Sequence, residues 1–226
     1  MALLVAAAGG CAGLRPKNPV SASLAECRRY SCQGVTALET GDYTQAEALL
    51  RQAAEASPED FDTRRHLAET LWARGAHAEA IENMRAAVLL EPAAAEATIR
   101  YGQMLLARGE HAGALNEAGR ALVIDPRSAE AWALRGRAHL AAGLADRAMA
   151  DLHQSLQHAP ADRAVLADLA TLHKRTGRRR RELTTLHRLR DTYLPDEEPV
   201  DLISTEADAY LAIGRPAAAA ERLRVA

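Results

Sequence analysis

Residues 95–128 read AEATIRYGQMLLARGEHAGALNEAGRALVIDPRS, and residues 129–162 read AEAWALRGRAHLAAGLADRAMADLHQSLQHAPAD. Laid one over the other, these stretches align Gly102 with Gly136, Gly109 with Gly143, Ala114 with Ala148 and Pro126 with Pro160. The register extends outward in both directions. Gly41, Gly75, Gly109, Gly143 and Gly177 lie 34 residues apart, and Pro58, Pro92, Pro126 and Pro160 keep the same period. So do Ala46, Ala80, Ala114 and Ala148, and the small residues Gly34, Ala68, Gly102, Gly136 and Ala170. With Gly at about 7 % of average sequence, the Gly column alone arises by chance about once in 10⁴–10⁵ registers.

Each column has a mechanical reason. The Gly falls between two apolar-periodic stretches, where a turn needs positive φ. The Pro follows the second stretch and stops it. The small residues fall mid-helix, where two helices must approach. Between them stand larger apolar residues at i, i+3 and i+4 spacing, such as Leu67, Leu71, Ile81, Met84 and Val88. One unit is therefore a helical hairpin. A lone hairpin cannot bury its apolar face, so the units must stack into a solenoid.

Composition agrees. Hydrophobic content is 48 % but aromatics only 4 %, so Ala and aliphatic residues must do the packing, which suits close helices better than strands. A net charge of −2 gives no global pull toward nucleic acid.

These residues resemble the tetratricopeptide repeat. In the unit from Phe61, Leu67-Ala68 match the family's hydrophobic-small pair, Gly75 its turn, Ala80 its second small site and Pro92 its terminator. The units from Cys27, Ala95 and Ala129 repeat the pattern, with Trp132 at the family's aromatic position. The resemblance covers about nine tenths of the chain. It implies an all-α, right-handed superhelical solenoid over residues 27–226, with repeats near 27–60, 61–94, 95–128 and 129–162. A divergent repeat follows at 163–199, and an incomplete one at 200–226. The divergent unit carries Glu182 where a small residue belongs, and its terminator moves to Pro195. The last unit stops inside its second helix, which fits either a truncated chain or a hairpin that frays.

Residues 1–26 read as a signal and flexible tether. MALLVAAAGGC carries an apolar run too short to span a bilayer, followed by small residues and Cys11. It resembles a bacterial lipoprotein signal, with Cys11 the lipidated residue and the cell envelope the location. A basic n-region is missing, which leaves room for a start upstream. The alternative is an Ala-rich N-terminal segment of a cytoplasmic protein.

Candidate chemical sites are few. Cys27 and Cys32 lie about 140° apart around a helix, which disfavours a disulfide within it and favours small buried thiols. His77 and His111 share one packing column of the repeat, and His139 and His173 share another. None belongs to a metal-ligand motif. The sequence implies no catalytic residues, metal or cofactor.

The resemblance implies instead a concave groove lined by the first helix of each hairpin. The positions facing it are Arg65, Glu69 and Trp72, then Ile99, Gln103 and Leu106, then Arg137 and Leu140, and finally Lys174. The pattern with which some relatives clamp a chaperone's C-terminal carboxylate is absent. The expected function is a non-enzymatic scaffold that binds a protein or peptide segment and supports assembly of an envelope complex, tethered to the membrane through Cys11. The alternatives are an accessory domain of a larger enzyme, or an RNA-binding array, which the net charge disfavours. The run Arg178–Arg181 falls at the turn of the fifth hairpin and reads as a solvated turn, with anionic lipid as a possible local contact.

Overall fold

The structure is a computed structural model and describes residues 19–194 and 197–224. Cys11 and its apolar run lie outside the described residues, as do Pro195 and Asp196. Every regular element among the described residues is an α-helix. The chain divides into two compact units, Met1–Leu90 and Glu91–Ala226.

The first unit holds α1 (Pro19–Glu39), α2 (Tyr43–Ala56), α3 (Phe61–Ala73) and α4 (His77–Leu90). The second holds α5 (Ala95–Ala107), α6 (His111–Ile124), α7 (Ala129–Ala141), α8 (Ala145–His158), α9 (Arg163–Arg175), α10 (Arg179–Arg190), α11 (Val200–Ala212) and α12 (Pro216–Leu223). Consecutive odd and even helices pair as hairpins. The fold is thus an all-α helical repeat of the solenoid class. One boundary differs from expectation: α1 begins at Pro19, so residues 19–26 are helical rather than tether.

The repeat columns do the mechanical work assigned to them. Gly109 has φ 80°, its N–H donates to Leu106 O, and the N–H of Glu110 reaches back to Leu105 O. This is the Schellman closure, which satisfies the last carbonyls of the helix. The same pair of bonds recurs at Gly41, Gly75, Gly143, Gly177 and Gly214. The small columns are where the two helices of a hairpin touch. Ala46, Ala80, Ala114 and Ala148 are wholly buried. At Gly136 a Cβ would stand 2.9 Å from Leu152 Cγ, so a side chain there would force Leu152 aside.

A further column fixes the start of the first helices. Asp60, Ser128 and Asp162 each accept a bond from the backbone N–H three residues on, at 2.9, 3.1 and 3.0 Å. Ala94 holds the same place before α5 and caps nothing.

Candidate functional site

In the first unit, α3 carries three of the expected groove residues. Arg65 donates to Asp62 at 3.3 Å, with His66 Nε2 3.1 Å away. Glu69 is half-buried. The Trp72 ring lies 4.4 Å from the His77 ring and packs against the core of Leu50, Leu67 and Leu71. Trp72 is therefore partly a packing residue and is half-buried. Beside them, Cys27, Ser31, Asp60, Asp62 and His66 help line an open cavity of about 710 Å³.

The cysteines correct one expectation. Cys27 is buried, with Sγ 3.6 Å from Thr63 Oγ1, but Cys32 is exposed. Both lie within α1, which keeps them on different sides of one helix.

In the second unit, the first helices are cross-linked by the very side chains expected to face the groove. Gln103 Nε2 donates to Glu130 Oε1 at 2.8 Å, joining α5 to α7. Arg137 Nε donates to Asp168 Oδ2 at 2.6 Å, joining α7 to α9. Lys174 and Thr171 stand exposed on α9. Leu106 and Leu140 are half-buried and rest on the core below. Ile99 does not belong with them. It is 3 % exposed and packs with Ala118, Ala121, Leu122 and Leu134. Repeat position put Ile99 on the open face, but it lies in the core, as does Ala133 at the same position of α7.

A feature that sequence reasoning did not reach is a cavity of about 410 Å³ between α9, α10 and α11. Ala170, Leu186, Leu189 and Leu202 line it, along with Tyr193 of the connection and Glu182 of α10. Its one sequence signature is spacing. Gly214 follows Gly177 by 37 residues instead of 34, so the α10–α11 connection is longer than the others.

Nor is the arginine run uniformly solvated, as its sequence suggested. Arg178 donates to Asp146 at 3.3 Å and touches Met149 Sδ, and Arg179 pairs with Glu182 at 3.0 Å. Only Arg180 and Arg181 point fully to solvent.

His139 and His173 sit within the helix packing. His139 Nε2 lies 3.5 Å from Asp151, which also takes a two-pronged bond from Arg135 at 3.0 and 2.7 Å. His173 is 2 % exposed. Burial holds His66, His139, His153 and His173 below the usual imidazole range. Neighbouring arginines push the same way, while Asp151 opposes the effect at His139. Among the described residues no three His, Cys, Asp or Glu side chains converge as metal ligands.

A family model for the tetratricopeptide repeat matches residues 37–82 and 71–138. The matched span runs from within α1 to within α7 and takes in the Gly turns at Gly41, Gly75 and Gly109. The chain is a tetratricopeptide-repeat protein. Solved structures share the fold. PilW, titled a widely conserved type IV pilus biogenesis factor, is 22 % identical over 87 % of this chain and 90 % of its own, with a TM-score of 0.76. PilF of Pseudomonas aeruginosa is 17 % identical over 89 % of this chain and 90 % of its own, with a TM-score of 0.74. MamA of Desulfovibrio magneticus RS-1 is 16 % identical over 76 % of this chain and 98 % of its own, with a TM-score of 0.70. No curated protein matches the chain at a significant level. Tetratricopeptide arrays are protein-interaction scaffolds, and no catalytic family is indicated.

Proposed function

We propose that this tetratricopeptide-repeat protein is a non-enzymatic scaffold, tethered in the bacterial envelope through Cys11, that binds an extended segment of a partner protein. The observation that carries the binding reading is the face formed by α5, α7 and α9. Gln103 and Arg137 are held there by cross-links before any partner arrives. A surface ordered in advance loses little side-chain freedom on binding. Exposed Thr171 and Lys174 and the adjoining apolar cavity give the same face both polar and apolar contacts. Half-buried Trp72 offers an aromatic contact on the first unit, and Trp is a frequent binding anchor.

The envelope reading rests on Ala8-Gly9-Gly10-Cys11, and the likeness to PilW, a type IV pilus biogenesis factor, is compatible with it. One acyl chain holds a protein weakly, and several hold it firmly.

Photoreactive residues at positions 72 and 171 test the binding reading in cells. Adducts with one protein from these positions, and none from position 82 of α4 or 147 of α8, are expected. Equal recovery from all four positions would sink it. For the tether, fatty-acid label should enter the wild-type chain and vanish in Cys11→Ser; label that persists in the variant rejects Cys11 as the anchor.

A further inference from the structure

The cavity between α9, α10 and α11 contains a chemical anomaly. Glu182 occupies the repeat position that Ala46, Ala80, Ala114 and Ala148 fill elsewhere, and it is 1 % exposed. One carboxylate oxygen accepts from Arg179 at 3.0 Å. The other, Oε1, is shut from solvent and has no partner among the described residues. Buried polar atoms of this kind are uncommon, and leaving one unsatisfied is costly. An alanine here would avoid that cost, as it does in the other hairpins. The group is accounted for if a donor reaches it from the cavity it lines. The terminal torsion of a glutamate is soft, so Oε1 can turn toward such a donor.

The walls state what kind of donor. Ala170, Leu186, Leu189 and Leu202 are buried and apolar, and Tyr193 adds a half-buried ring. Charge is already balanced, since Arg179 neutralises Glu182 and the exposed rim residues Lys174 and Asp201 carry opposite signs. Nothing in the cavity calls for a cation. A flat apolar body with one neutral N–H or O–H donor fits both the walls and the lone acceptor, and tyrosine and tryptophan side chains have that form. A volume of about 410 Å³ accommodates either.

We infer that this cavity is the anchor subsite for one tyrosine or tryptophan side chain of the partner segment, its hydroxyl or indole N–H donating to Glu182 Oε1. The inference rests on the scaffold reading above but names the feature in the partner that is read.

Side-chain surrogates test this on the intact protein by NMR titration. p-Cresol and indole should bind saturably and shift the methyl signals of Leu186, Leu189 and Leu202. Toluene, which has the same body without the donor, should bind about tenfold more weakly. Glu182→Ala restores the residue of the other repeats, should keep its melting temperature, and should bind p-cresol and toluene alike. Glu182→Gln keeps an acceptor and much of the shape, so it should retain part of the preference and serves if the alanine variant fails to fold. Equal affinity of the wild type for p-cresol and toluene overturns the inference, as does binding that leaves the three leucine signals unmoved. Crosslinking from position 72 does not involve the cavity, so the scaffold reading can survive that failure.

Discussion

Gly109 is held at φ 80° with no heavy atom within 4 Å of where its Cβ would stand. Replacement by alanine therefore carries a backbone cost and no steric clash. Gly109→Ala should lower stability by about 1–2 kcal/mol, read from a denaturant melt. The opposite change is available fifteen residues earlier. Ala94 has the extended backbone of a helix cap, yet no side chain to accept from α5, where Ser128 serves α7. Ala94→Ser should raise stability by about 1 kcal/mol in the same measurement. Both residues were legible in different degrees. The glycines announced themselves, because a turn that demands positive φ admits few other residues. The cap column Asp60, Ser128 and Asp162 keeps the same 34-residue period but tolerates several polar residues, so it stood out less. The partners of Arg178 and Arg179 were not legible at all. Long side chains choose their partners through torsions that sequence spacing does not fix.

The last hairpin shows what an element owes to a single residue. Arg222 of α12 bonds Glu198 of the connection and Glu206 of α11, and Glu206 is wholly buried. The sequence left open a truncated chain or a last hairpin that frays. The ion triad joins α12 to α11 at a point where few apolar residues are available, since Ala219 is the one buried side chain of α12. Arg222→Ala would leave a buried carboxylate with only Arg190, 4.0 Å away. The loss should be about 3 kcal/mol, concentrated in α11 and α12, and amide exchange across residues 216–223 should lose its protection first. Helix existence and order followed from the sequence, because apolar periodicity is a property of the chain alone. Which groove positions stay open did not, and Ile99 is the instance: it packs in the core with Ala118, Ala121, Leu122 and Leu134.

Taken across the molecule, four histidines share one electrostatic bias. His66, His139, His153 and His173 all lie below the ordinary value of 6.5, chiefly through burial. An unfolded chain then binds more protons than the folded one in the window just below 6.5, so stability falls as pH drops through it. The melting temperature should be flat above pH 7 and decline toward pH 5.5. His173→Leu, which copies Leu71 and Leu105 of the same repeat position, should flatten part of that decline; an unchanged slope would show that His173 contributes nothing to it. The repeat period has its own consequence at this scale. From Gly41 to Gly177 every hairpin begins and ends at the same phase. A genetic duplication or excision of 34 codons within that span joins a first helix to a matching second helix wherever the break falls. Between Gly177 and Gly214 the spacing of 37 residues breaks that rule. Homologous chains can therefore be expected to differ in length by whole hairpins before the fifth turn, with the terminal segment inherited as one piece.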